Sequence, residues 1–150
     1  MSLLNSTLLF ESFTEFLTND EIFDFLASFI YNESDFLHEV LRIFIILTRK
    51  VNAKIINSFG FKLIEIFTFV LKETLEGKFL KLALEGLFLL FSAEKEQKGV
   101  YQTKNLKLKF ESLNGDGALL NLQHHQDIDV YNLVFMIYDE CFQEYDDELK

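Results

Sequence analysis

The sequence predicts an all-α fold made of about three repeating helical units, and three observations support this. The chain of 150 residues contains no proline and only six glycines, so few residues interrupt helices. Apolar residues make up 49% of the chain, which is enough for a continuous core. Similar segments recur with a period of about 40 to 50 residues, which is typical of arrays of two- or three-helix units.

The repeat is clearest in three long apolar segments. Residues 32–48, 75–92 and 126–142 align with successive offsets of 43 and 51 residues. Phe36 and Leu37 of the first segment fall on Phe79 and Leu80 of the second. The apolar residues of the first segment form one broad stripe at helical spacing, and no segment alternates with period two. The long segments are therefore predicted to be helices rather than strands.

Each unit is expected to contain a short, a middle and a long helix. The predicted array covers residues 1–143, in units at about 1–49, 50–92 and 100–143, and residues 144–150 form an acidic tail. Asn32 and Asp127 are the expected N-caps of two long helices, and Gly60 is expected to separate two helices. The predicted helices are 3–17, 20–31, 33–49, 52–59, 61–73, 75–92, 103–113, 118–124 and 127–143, with 93–100 as a polar insertion and residues 115–117 as a turn.

Charge is distributed unevenly along the chain. The net charge is −10, which argues against a dedicated nucleic-acid-binding protein because phosphate backbones are repelled. Residues 1–40 carry a net −8, residues 41–110 carry +7 and residues 111–150 carry −9. Two interpretations remain open at this point: solvated helix faces, or separate surfaces for separate partners.

No enzyme motif is present, so catalytic, cofactor-binding and metal-binding residues are predicted to be none. His124 and His125 are adjacent, and neighbouring positions on a helix point about 100° apart, so they are expected to be turn histidines rather than metal ligands. Cys141 has apolar neighbours at helical spacing and is expected to be a buried structural thiol. The chain shows no secretory leader and no bilayer-spanning run, so we expect a soluble intracellular protein without a membrane partner.

Residues 110–131 read FESLNGDGALLNLQHHQDIDVY. This segment resembles the terminal armadillo repeat of the importin-α (karyopherin-α) family of nuclear-import adaptors, in which a glycine turn precedes Leu-Gln-x-His and Val/Ile-Tyr. The resemblance covers nearly the whole chain at low identity and is specific in the last third. It implies a right-handed α-solenoid of about three armadillo repeats, acting as a protein-binding adaptor that shuttles between cytoplasm and nucleus. The matching residues are Gly115, Leu122, Gln123, His125, Val130 and Tyr131.

The resemblance also indicates where a groove would lie. In this family, tryptophan and asparagine one turn apart on the third helices hold a lysine-rich nuclear localisation signal. An arginine at a tryptophan position repels a basic peptide, so weak signal binding is expected, although such cargo stays an open partner. The matching positions here are Arg42 and Ile46, Glu85 and Leu89, and Met136 and Glu140.

The C-terminal repeats of the family engage the recycling exportin together with Ran-GTP. The resemblance therefore implies an acidic partner surface at the end of the chain, although the same acids could simply keep an exposed helix soluble. Two alternatives for the whole chain are a generic armadillo or HEAT scaffold with unrelated partners and an all-α enzyme without a recognisable motif. The partner-binding candidates are Asp139, Glu140, Glu144, Asp146, Asp147 and Glu148.

The N-terminal edge of the array is expected to be apolar. Terminal units of a solenoid normally need a polar outer face, but residues 3–17 carry a stripe of leucines and phenylalanines. Self-association through residues 1–31 is therefore predicted. The stripe consists of Leu4, Leu8, Leu9, Phe13, Phe16 and Leu17.

Overall fold

The computed structural model describes residues 19–32, 35–49, 53–74, 76–97 and 106–141. These residues form helices and turns and contain no strand, so the all-α prediction is confirmed. None of the described helices is long and apolar enough to cross a lipid bilayer. The helices are α1 (Asp20–Tyr31), α2 (Leu37–Arg49), α3 (Ala53–Glu73), α4 (Gly77–Gln97), α5 (Leu106–Ser112), α6 (Gly115–Leu122) and α7 (Ile128–Cys141).

The helices pack in two series. Helices α1, α3 and α6 contact one another in chain order, and so do α2, α4 and α7. The two series are joined by the pairs α1–α2, α3–α4 and α6–α7, while α5 lies against α3, α4 and α6. The core therefore runs between the two series.

Phenylalanine rings join neighbouring helices in this core. Phe23 of α1 stacks on Phe59 of α3 with ring centroids 4.8 Å apart, and it meets Phe44 of α2 at 5.0 Å. Further along, Phe91 of α4 and Phe110 of α5 form an edge-to-face pair at 5.3 Å. Such pairs add about 0.5–1.5 kcal/mol beyond the area they bury. The high phenylalanine content is thus used to connect helices across the core.

The predicted helix 20–31 is confirmed as α1, but its neighbour differs. Asn19 caps α1, because its side-chain oxygen accepts the backbone N–H groups of Glu21 and Ile22 at 3.0 and 3.4 Å. Asn32, expected to start the next long helix, instead ends α1 and donates its backbone N–H to the Ser28 carbonyl. The prediction that Asn32 is an N-cap is therefore wrong, and α2 begins only at Leu37.

Two predicted helix ends in the middle of the chain are also wrong. Helix α3 runs without a break through Gly60, which is buried, because burial of the flanking apolar residues outweighs the roughly 1 kcal/mol cost of an interior glycine. Helix α4 continues to Gln97 rather than ending before a polar insertion. Residues 93–97 read AEKEQ, and all of these residue types are strong helix formers.

The turn between α5 and α6 uses asparagine where glycine was expected to supply the unusual backbone angle. Asn114 has φ 62° and ψ 31°, and α6 already begins at Gly115 rather than at residue 118. Gly115 is needed for packing, because a Cβ atom there would overlap the ring of Phe110. The predicted helix 3–17, residues 103–105 and the predicted tail 144–150 lie outside the described residues.

Candidate protein-binding surfaces

The predicted groove positions lie on the series α2, α4 and α7. Each helix carries two of them one turn apart, and the three helices are neighbours in that order. Arg42 of α2 and Glu140 of α7 are exposed. The remaining positions, Ile46, Glu85, Leu89 and Met136, are half-buried.

An ion pair joins α2 to α4 on this surface. Arg49 donates from Nε and Nη2 to the same oxygen, Oε1 of Glu85, at 3.1 and 2.7 Å. The negative charge of Glu85 is therefore neutralised by an arginine of the same chain. Arg49 was not predicted as a site residue, although it follows Ile46 by three positions and so lies on the same side of its helix.

A second junction joins α4 to α7. Lys81, one turn before Glu85, places Nζ 3.4 Å from Oδ2 of Asp127 and 3.8 Å from Oδ2 of Asp129. Asp127 also accepts the backbone N–H of Asp129 at 2.9 Å, which confirms its predicted position as the N-cap of α7. That hydrogen bond, followed by the interaction with Lys81, lowers the pKa of the Asp127 carboxyl group.

The same arrangement explains part of the uneven charge distribution. Lys62 of α3 lies 3.0 Å from Asp24 and 3.7 Å from Asp20 of α1. Basic residues from the middle of the chain thus pair with acids from both ends, as Lys81 does with Asp127 and Asp129. Exposed pairs of this kind contribute about 0.2–1 kcal/mol each. A partner surface is not needed to account for these particular acids.

The residues of the predicted motif divide into packing residues and exposed residues. Gly115, Leu122 and Val130 are buried, whereas Gln123 and Tyr131 are exposed. His125, the remaining member, is half-buried, and its Nδ1 atom accepts the backbone N–H of Asp127 at 3.0 Å. The prediction of a turn histidine is therefore confirmed for His125.

The acidic candidates at the C-terminus fall on different sides of α7. Asp139 follows Phe135 by one turn, and Glu140 follows Met136 by one turn, so their side chains point about 100° apart. Both are exposed. The backbone carbonyl of Glu140 accepts a hydrogen bond from Nζ of Lys95 at 3.3 Å. The other four candidates, Glu144, Asp146, Asp147 and Glu148, lie outside the described residues.

A row of exposed apolar residues on α7 was not predicted. Ile128, Tyr131 and Phe135 are 66%, 42% and 61% exposed and are spaced three and four residues apart. This spacing places them on one face of the helix. On the neighbouring helix α6, Leu120 is 57% exposed. The sequence does contain this spacing, but it does not show which apolar face of α7 is buried.

A cleft of about 680 Å³ is bordered by the end of α3, by α6 and by the turn after it, and Lys72, Asn121 and His124 contribute to its walls. Among the described residues, no group of three or more histidine, cysteine or acidic side chains could hold a metal ion. Cys141 is buried, as predicted, and burial raises the pKa of its thiol. The ion-paired surface of α2, α4 and α7 and the exposed face of α7 are thus the two candidate binding surfaces among the described residues.

Comparisons with protein-family models, with curated proteins and with solved structures find no match for this chain.

Proposed function

We propose that this chain is a protein-binding scaffold built as a right-handed α-solenoid of about three armadillo repeats. The observation that supports the proposal best is the order of helix contacts. In a solenoid each unit contacts only its neighbours, and here α1, α3, α6 and α2, α4, α7 form two series in chain order. In this arrangement α5 takes the place of the short first helix of the third unit.

The more specific proposal is an adaptor of nuclear protein import that shuttles between cytoplasm and nucleus. It rests on the resemblance of residues 110–131 to the terminal repeat of importin-α. The burial of Gly115 and Val130 is consistent with this resemblance, because small and apolar motif residues that serve helix packing are expected to lie in the core. The exposure of Asp139 and Glu140 supports a contact with the recycling exportin and Ran-GTP. Complementary charge of this kind mainly raises the rate of association.

A generic armadillo or HEAT scaffold with unrelated partners is the second candidate, and the surface of α2, α4 and α7 favours it. Arg42 stands at a position that is tryptophan in the importin-α family. Arg49 lies seven residues, or about two helical turns, further along the same helix. Arg42 on this side of α2 disfavours a lysine-rich peptide. Glu85, which could have attracted such a peptide, already binds Arg49.

Capture of purified exportin distinguishes the two candidates. The adaptor proposal predicts that the chain is retained with exportin and Ran-GTP but not with exportin and Ran-GDP. Reversing Asp139, Glu140 and Glu144 to lysine should abolish capture while the circular dichroism spectrum stays unchanged. Reversing Glu21, Asp35 and Glu39, acids from the other end of the chain, makes the same change of net charge and should leave capture intact.

Each failure has a separate meaning. If the unmodified chain is not captured, the adaptor role is wrong and a generic scaffold is favoured. If capture survives the reversal of Asp139, Glu140 and Glu144, these acids are not the exportin-binding residues.

A further inference from the structure

We call the exposed apolar residues of the two packed helices α6 and α7 the end face. It is defined by Leu120 of α6 and by Ile128, Tyr131 and Phe135 of α7, which are 42% to 66% exposed. The opposite side of α7 carries Val130, Val134 and Ile137, which are fully buried. Helix α7 therefore has two apolar sides, of which the fold covers one.

The two helices of the end face pack against each other. Tyr138 follows Phe135 by three residues and is half-buried, and its pKa is raised by burial and by the negative charge of Asp116 on α6. Asp116 precedes Leu120 by one turn, so both lie on the same side of α6. Asp139 follows Phe135 by one turn and so lies at the end of the apolar row, while Asp116 lies beside Leu120 on the neighbouring helix.

Helices α6 and α7 themselves carry charge of one sign only. Residues 110–149, which include all of α6 and α7, contain no lysine or arginine. Asp129 is paired with Lys81. Within the described part of the chain, neither Asp116 nor Asp139 makes an ion pair. An apolar row bordered by uncompensated carboxylates is complementary to apolar side chains flanked by basic ones.

We propose that the end face binds an amphipathic helix of another protein, with apolar residues packed on Ile128, Tyr131 and Phe135 and with lysine or arginine residues directed at Asp116 and Asp139. This is the helix-in-groove mode of recognition, in which anchors recur at i, i+3 or i+4 and i+7. A helix of 14 residues such as α7 is about 21 Å long. A partner helix of similar length covers the whole row. The proposal does not rest on the adaptor role.

A second copy of this chain is a poorer occupant than a basic helix. Residues 1–40 carry eight acids and no lysine or arginine, and residues 111–150 carry a net −9. Pairing of two end faces would thus place like charges against each other, which costs free energy. The charge of the C-terminal segment therefore favours a partner of opposite sign on the end face.

The test uses the full chain and three fluorescent helical peptides of about 18 residues. One carries leucine anchors flanked by lysines, the second keeps the lysines and replaces leucine by alanine, and the third keeps the leucines and replaces lysine by glutamate. Fluorescence anisotropy is expected to show saturable binding of the first peptide, and at least tenfold weaker binding of the other two.

Variants then locate the binding surface. Changing Tyr131 and Phe135 together to serine should weaken binding of the first peptide at least tenfold, and exchanging Asp116 and Asp139 for asparagine should reduce its salt dependence. Phe25→Ser is the matched control, because Phe25 is 63% exposed at the opposite end of the series and should not matter. Circular dichroism verifies that each variant folds.

Three results would overturn the proposal. Equal binding of the alanine-substituted peptide would show that charge alone attracts it. Binding that survives the changes at Tyr131 and Phe135 would place the peptide elsewhere. Self-association of the unmodified chain that disappears in Phe135→Ser would show that the end face is occupied by a second copy.

Discussion

Gly86 of α4 lies against the ring of Phe67 of α3, so closely that a Cβ atom built on Gly86 would be 2.5 Å from Cε2 and Cζ of that ring. Both residues are buried. The two longest helices thus approach each other at a point where α4 has no side chain. Phe67 fills the space that this glycine leaves.

Gly86→Ala should therefore destabilise the protein. Crowding of a packed core costs about 1–3 kcal/mol, whereas glycine to alanine in an unhindered helix gains roughly 0.5–1 kcal/mol. Urea unfolding measures the sign directly. The control is the same change in a Phe67→Leu background, where the smaller side chain relieves the overlap and the cost should shrink. Strictly additive effects of the two changes would contradict the proposed contact.

Two buried threonines provide a matched pair for a second prediction. The Thr48 hydroxyl donates to the Phe44 carbonyl at 2.7 Å, whereas the Thr68 hydroxyl has no hydrogen-bond partner among the described residues. Because a buried polar group without a partner costs about 1–3 kcal/mol, Thr68→Val should raise the free energy of unfolding.

Thr48→Val removes a satisfied hydrogen bond and should lower the free energy of unfolding by about 1 kcal/mol. Thermal and urea unfolding of both variants give the comparison. Destabilisation by Thr68→Val equal to that of Thr48→Val would mean that the Thr68 hydroxyl does have a partner in solution.

The success at α1 and the failures elsewhere have different physical causes. The predicted bounds of helix 20–31 agree with the structure because its apolar residues follow one helical stripe and local polar residues mark both of its ends. The ends of α3 and α4 differ from the prediction because neither Gly60 nor the polar residues 93–97 interrupt a helix in this structure. Gly60 is tolerated in a buried helix, and the polar residues 93–97 favour helix.

The binding surfaces were less predictable than the helices. The Arg49–Glu85 pair joins residues 36 positions apart, and such a contact depends on how two helices cross rather than on local spacing. For α7 the difficulty is different. Phe135 and Val134 are both apolar, so the hydrophobic pattern alone could not show that Val134 is buried and Phe135 exposed.

The free energy of unfolding should depend on pH in the alkaline range because of Tyr31. Burial, followed by the negative charges of Glu65 and Asp24, raises its pKa from 10.0 to about 12. The folded protein therefore holds the phenolic proton more tightly than the unfolded chain does. The resulting contribution to stability is complete below pH 10 and is lost as the pH rises towards 12.

The comparison of Tyr31→Phe with the unmodified chain isolates this effect. Phenylalanine keeps the ring contact with Phe69, whose centroid is 5.0 Å away, but it has no proton to lose. Urea unfolding at pH 9 and pH 11.5 should show that the unmodified chain loses more stability than Tyr31→Phe. Tyrosinate absorbance should lose a late-titrating component in that variant. An equal pH dependence of the two proteins would show that Tyr31 ionises alike in both states.

The last prediction concerns the N-terminal edge, where Phe25 and Phe36 are 63% and 61% exposed. Phe29 lies between them, with ring centroids 5.2 Å from Phe25 and 6.3 Å from Phe36, so the three rings form one aromatic patch. The preceding apolar residues Leu9 and Phe13 lie outside the described residues. Because large exposed apolar patches favour association, the chain should self-associate at high concentration in sedimentation velocity.

Replacing Phe25 and Phe36 with serine should yield a monomer with nearly unchanged stability, since exposed side chains contribute little to the folded state. Replacing Leu9 and Phe13 with glutamate should also yield a monomer if those side chains extend the patch, and should lower the thermal midpoint if they are core. Phe135→Ser changes an equally exposed ring at the other end and should leave self-association intact. A chain that stays monomeric at millimolar concentration would show that the aromatic patch does not bind a second copy.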